Sequence, residues 1–380
     1  MNREAPVTRL SVLDLAPVPE GGTARDALRN TLDLARRVEA AGYHRYWLAE
    51  HHLAPGVASS APQVLIEAVA AATSHIRVGS GAVQTGHWTP LSIVEQFGTI
   101  DALHPGRIDL GLGRSGQRRA EAARSAAAPQ PRERRKAEVV DGLLIPEPFD
   151  FTRLAKSPVF DLHGALLQQP GAETPDFAGI VDDIAALIGG TYAKGEHEAH
   201  ANPGEGAALE LWILGSSGGQ SAQVAGERGL PFAANYHVSP SNVLEAVEAY
   251  REAFKPSDVL DEPYVVVSAD VVTAPTDDEA EELASPYALW VHSIRSRLAA
   301  IPFPTPAQAA AHQWRPEDRE LVADRVDTQF TGSPETVVER LRTLQRVTGA
   351  DELLITTITH DHADRVRSYE LLADAWKRTD

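Results

Sequence analysis

Trp47-Leu-Ala-Glu-His-His-Leu53, followed closely by Arg77-Val-Gly-Ser-Gly-Ala-Val83, decides how this chain is read. Both are apolar runs of strand length. The first ends in Glu50, His51 and His52, and the second ends in residues with almost no side chain. Strand ends of this kind, one polar and one bare, suit a flat ligand lying against backbone with an imidazole beside it.

Working outward, strands and helices alternate with short connections. Leu10–Leu15 reads as a strand, and Ala24–Ala41 as an amphipathic helix stopped by Gly42. Tyr46–Ala49 is the next strand, and Pro62 opens a helix running to about Ser74. Ile76–Val83 is a strand, Pro90 opens a helix ending near His104, and Arg107–Gly113 is a fourth strand. This rhythm implies parallel strands with right-handed crossovers.

Residues 115–208 break the rhythm and read as a long insertion with a helix at Phe177–Ile188. The basic run Arg132–Lys136 within it is a solvated segment. Regular strands resume at Leu209–Leu214, Phe232–Tyr236, Tyr264–Val272 and Glu352–Thr357. Pro286 breaks a helix that starts at Asp277, and Ser333-Pro-Glu335 is a helix start. Pro302, Pro304 and Pro306 mark 301–330 as a lid loop. Eight strands, each followed by a helix or a long connection, predict an α/β fold. It is a (β/α)8 TIM barrel over 1–380, a single domain with the insertion after strand 4. No dinucleotide fingerprint follows the first strand, which disfavours a doubly wound sheet.

Composition narrows the function classes. A chain of 380 residues, 43% of them hydrophobic, is long enough for a large core. The absence of cysteine excludes disulfides, thiolate metal sites and cysteine nucleophiles. A net charge of -18 argues against nucleic acid as a partner. No run has the length of a membrane span and the start lacks an apolar signal region, so a cytoplasmic protein with no membrane partner is expected.

In a barrel of this type the functional groups sit where strands end. That rule selects His51 and His52, then Gly81, Ala82, Val83 and Gln84, then Arg114. It also selects Gly215, Ser216 and Ser217, with Tyr236 and His237 after the sixth strand and His360, Asp361 and His362 after the eighth. Gly215-Ser-Ser-Gly-Gly219 opens a helix, and free N–H groups there bind phosphate. Arg114 adds a planar fork from the neighbouring strand end. Adjacent histidines in an extended segment point to opposite faces, so His51 and His52 do not chelate one metal ion, and no metal site is predicted. One of the pair faces a ligand and the other serves as a structural hydrogen-bonder.

The chain resembles the luciferase-like flavin monooxygenases, the family of bacterial luciferase. The resemblance rests on Leu10–Pro17, Gly42–His52, Ile76–Gly81, Leu103–Arg114, Trp212–Ser217, Thr331–Pro334 and His360–Arg365. It implies a monooxygenase that uses reduced FMN and O2, working through a C4a-peroxyflavin on a small organic molecule. It further implies a separate flavin reductase as functional partner, and a homodimer. By motif, His51 matches the catalytic histidine, Arg114 the phosphate-binding arginine, and Ser216, with Ser217 beside it, the phosphate-binding serine loop. A non-proline cis peptide under the flavin falls at or next to Gly81–Ala82. The chain departs from close relatives at Gln84, where an apolar thioether is usual, and at Gly215, where luciferase has an acid; light emission is not implied. Two alternatives stay open: an F420-dependent dehydrogenase or reductase of the same superfamily, and a non-catalytic flavin-binding protein.

Overall fold

Eight strands close into a ring. They are β1 (Arg9–Asp14), β2 (Arg45–Leu48), β3 (Arg77–Ser80), β4 (Ile108–Gly113), β5 (Glu210–Gly215), β6 (Phe232–Asn235), β7 (Val265–Thr273) and β8 (Glu352–Thr356). Each pairs in parallel with its neighbours in sequence, and β8 pairs with β1, so the barrel has no free edge. The computed structural model describes residues 8–114, 135–150, 158–172, 175–297 and 299–379. The predicted eight-stranded barrel is therefore the observed one.

Because helices cover the outside and side chains fill the inside, whole strands are buried, as β2 and β8 are from end to end. Successive side chains alternate between two apolar layers. Val12, Tyr46, Val78 and Ile213 face the helices. Leu13, Trp47, Trp212, Val266 and Leu354 fill the interior. Trp47 and Trp212 meet edge to face at 5.1 Å between centroids, a contact worth ~0.5–1.5 kcal/mol beyond its buried area. Close packing also explains a bare position: a Cβ on Gly81 would come within 2.8 Å of Leu13 Cδ1.

The amino ends of the strands hold a buried charge cluster. Arg45 meets Asp109 at 2.8 Å, Glu210 at 2.7 Å and Glu352 at 3.3 Å. Arg77 reaches Asp109 at 2.6 Å, Trp47 Nε1 donates to Asp109 at 2.8 Å, and the Ser11 hydroxyl donates to Glu352. Burial pushes the Asp109 carboxyl up, against the pull of Arg45.

Two connections differ from expectation. The region after β4 is only partly an insertion, because helix Phe177–Ile188 buries Phe177, Ile180, Val181, Ile184 and Leu187 and packs on helix Pro90–Leu103 as a regular barrel helix. Of the basic run, residues 132–134 lie outside the described residues, and Arg135 pairs with Glu245 at 3.2 Å. Segment 301–330 is not a loop. It contains helices Pro306–Ala311 and Pro316–Val326, whose prolines occupy first-turn positions where the missing N–H costs nothing. The expected break at Pro286 separates helices Asp277–Ala284 and Tyr287–Arg297. Tyr287, Trp290, Val291 and Val322 join the interior layer, so these added helices roof the carboxyl end of the barrel.

Candidate functional site

A cavity of about 430 Å³ opens at the carboxyl ends of the strands, and residues at the ends of all eight contribute to its wall. On the β4–β5 side stand Arg114, Gly215, Ser216 and Ser217. Gly219 is the cap residue of helix Gln220–Glu227 and supplies no capping side chain, so the first-turn N–H groups of that helix stand beside the serines. Arg114 Nη1 donates to Gln220 Oε1 at 2.9 Å, and Gln220 Nε2 donates to Asp176 Oδ1 at 2.6 Å. That bond from Gln220 holds the Asp176 carboxyl below the usual range. A guanidinium, two hydroxyls and an uncapped helix end form a donor set suited to a phosphate.

On the β2–β3 side the Gly81–Ala82 peptide is cis, and both residues line the cavity. The segment after it is tied down by Glu50. The Gln84 backbone N–H donates to Glu50 Oε2 at 2.7 Å. Trp88 Nε1 and His52 Nε2 donate to Glu50 Oε1 at 3.0 and 2.8 Å. The Gln84 amide donates to the Glu50 carbonyl and accepts from His87 at 3.0 Å. Beside this network the His51 ring opens onto the cavity, and among the described residues no side chain hydrogen-bonds to it. The residue is exposed through the cavity mouth. Desolvation by the atoms packed near the ring, then the neighbouring His52, lowers its pKa to about 4. His51 is therefore a neutral imidazole at neutral pH.

The β6–β8 side carries His237, Asp270 and Arg325. His237 Nδ1 shares a 2.6 Å hydrogen bond with Ser268 Oγ. Burial and then Arg325 push His237 down to about 3. Arg325 Nη2 donates to Tyr287 at 2.7 Å and lies 3.3 Å from Asp270 Oδ2, and the Tyr287 hydroxyl also donates to Asp270.

The luciferase-like monooxygenase profile matches residues 8–150 and 153–352. The chain belongs to the luciferase-like monooxygenase family. The YvbT protein of Bacillus subtilis is 39% identical over 99% of both chains. A luciferase-like monooxygenase of Escherichia coli K12 is 36% identical over 96% of both. The solved structure of apo-MsnO8 is 31% identical, with a TM-score of 0.76 over 97% of this chain and 98% of its own. The fold alone is shared with the FMN-bound oxygenating constituent of 3,6-diketocamphane monooxygenase from Pseudomonas putida (TM-score 0.64, 19% identity, 97% of each chain). It is likewise shared with an F420-dependent secondary alcohol dehydrogenase (TM-score 0.60, 12% identity, 97% and 99%).

Within this member of the family the expected residues mostly converge. His51, His52, Gly81, Ala82, Gln84, Arg114, Gly215, Ser216, Ser217 and His237 all line one cavity. Val83 does not: its side chain is fully buried in the layer facing the helices, because the strand alternation turns it away. Tyr236 also points away and donates to Leu144 O at 2.7 Å. His360 and His362 leave the barrel mouth with the chain, bonding to Glu20 O at 3.1 Å and Asp33 at 3.0 Å. Among the described residues no three side chains are placed to hold a metal ion, and no helix is long and apolar enough to cross a membrane. Sequence reasoning missed Glu50 as a hub, the Gln220–Asp176 brace, and the Asp270–Tyr287–Arg325 group. Glu50 had a signal, a carboxylate at the end of an apolar strand. The last group, with Asp270 and Arg325 55 positions apart, had none.

Proposed function

We propose that this protein is a monooxygenase that binds reduced FMN and uses O2 to oxygenate a small organic substrate. The observation that carries the reading is the joining of a phosphate-type donor set and an unpaired neutral imidazole in one cavity. Arg114, Ser216, Ser217 and the end of helix Gln220–Glu227 would hold the phosphate. The Gly81–Ala82 backbone, anchored through Gln84 by Glu50, would face the ring system. Bound reduced flavin would supply the electrons that activate O2, so that one oxygen atom enters the substrate and the other leaves as water.

His51 is placed to accept or donate a proton at the reacting centre, since its ring is neutral at neutral pH and held by no protein side chain among the described residues. The helical roof would limit the access of water to the reacting centre, which protects reactive species. The reduced cofactor would come from a separate reductase, because the first strand carries no dinucleotide fingerprint. The test is an anaerobic titration with reduced FMN and with reduced F420, followed by admission of O2. Tight binding of reduced FMN and oxygen-dependent product formation are expected. Selective binding of F420 would make the protein a hydride-transfer enzyme, and FMN binding without oxygen chemistry would make it a flavin carrier.

A further inference from the structure

Arg114 reaches the cavity wall from the end of β4, and a brace of two residues outside that wall holds its guanidinium. Nη1 donates to Gln220 Oε1 at 2.9 Å, and Gln220 Nε2 donates to Asp176 Oδ1 at 2.6 Å. The other terminal nitrogen lies beside the serine loop. A side chain on Gly219 would start 3.6 Å from Arg114 Nη2 and 3.4 Å from Ser217 Oγ. Both donors therefore flank one small space that the bare glycine leaves at the start of helix Gln220–Glu227.

We propose that Gln220 and Asp176 are positioning residues for the cofactor phosphate, Gln220 by aiming the Arg114 guanidinium and Asp176 by fixing which end of the Gln220 amide faces it. The inference rests on the flavin reading and extends it to residues that do not line the cavity.

Donor and acceptor chemistry sets the direction of the brace. A guanidinium has only donors, so it takes the amide oxygen; an ionised carboxylate has only acceptors, so it takes the amide nitrogen. The hydrogen bond from Gln220 holds the Asp176 carboxyl below the usual range, which keeps it ionised at neutral pH. Asp176 is itself anchored as the cap of helix Phe177–Ile188, where its Oδ2 accepts from Ala178 N at 3.0 Å and from Gly179 N at 3.4 Å. One carboxylate oxygen thus holds the helix and the other holds the brace. The neutrality of the bridging amide matters as well. A carboxylate at 220 would pair with Arg114 and place negative charge near the phosphate, whereas the amide orients the guanidinium without cancelling its charge. A long side chain fixed before the ligand arrives also lowers the ordering cost of binding.

Reduced FMN and reduced riboflavin, titrated anaerobically into the full chain, test this, because the two ligands differ only in the phosphate. The wild type is expected to prefer FMN by roughly 100-fold. Gln220→Met keeps the length and removes both polar ends. It should reduce that preference by about three- to tenfold, with riboflavin affinity and thermal midpoint unchanged. Gln220→Glu should reduce it further. Asp176→Asn can keep the helix cap through its amide oxygen but turns an N–H group toward Gln220; it should lower the preference at an unchanged thermal midpoint. Where Gln220→Met yields no soluble protein, the other two variants carry the test. A preference for FMN that these substitutions leave at the wild-type value overturns the proposal. So does equal weakening of both flavins, because the brace then serves only the fold. A wild type that binds FMN no better than riboflavin sinks the phosphate reading itself, and the brace with it.

Discussion

At the amino end of the barrel Arg45 faces three carboxylates, whereas at the carboxyl end Arg325 faces one and, among the described residues, its Nε has no hydrogen-bond partner. Both arginines are buried among aromatic rings. The difference lies in saturation. The Arg45 cluster ties β2, β4, β5 and β8 together. The carboxyl end leaves donors and two neutral imidazoles around open space. One end uses its polar groups to close the ring, and the other leaves them around a cavity.

The largest effect is expected at the amino end. Arg45→Met leaves Asp109, Glu210 and Glu352 close together without their shared cation. It should cost about 3–5 kcal/mol of stability, read as a drop in thermal midpoint or as loss of soluble protein. Wild-type stability in this variant would show that the cluster does not hold the ring together. His51→Ala should leave stability and FMN affinity close to wild type but lower coupled product formation by roughly 100-fold or more. Full coupled turnover in this variant would remove His51 from the chemistry. Arg114→Ala should weaken reduced FMN by roughly tenfold to 100-fold without shifting the thermal midpoint; unchanged affinity would mean that the phosphate lies elsewhere.

The smallest effect concerns pH. His51 at about 4, His237 at about 3 and His44 at about 4 all lie below the ordinary value of 6.5, each mainly through desolvation. Between pH 6.5 and about 4 the unfolded chain binds protons that the folded chain refuses. Stability contributed by these groups is therefore present above 6.5 and lost as pH falls through that window. Denaturant midpoints at pH 7.5, 6 and 5 should fall in that order. The decline should be shallower in His237→Gln, and an equal slope there would mean that His237 titrates normally.

The barrel was legible because its signals are local. Each strand is an apolar run of four to nine residues, and prolines at 62, 90 and 334 sit at helix starts where sequence rules put them. Pro306 misled, since a proline at a helix start and one in a loop look alike without the turns that follow. The helix at 177–188 was visible by its spacing, but its place in the barrel wall was not. Val83 was named with its neighbours although strand alternation alone would have turned it outward, toward the helices.

The sequence by itself determined the order of the eight barrel strands, and through them the ring of strand ends that carries His51, Arg114 and Ser216. Periodicity, capping and turn chemistry act over a few residues, so they survive without tertiary context. Tertiary structure alone decided what those ends meet. Glu50 became a hub because Gln84 and Trp88 fold back onto it. Arg325 entered the cavity because a helix far along the chain roofs the barrel beside Asp270. His360 and His362 were carried out of the site by the turn into the final helix. Contacts between distant strand ends depend on how the ring closes and on which side chains fill it, and no pattern within a single segment records that.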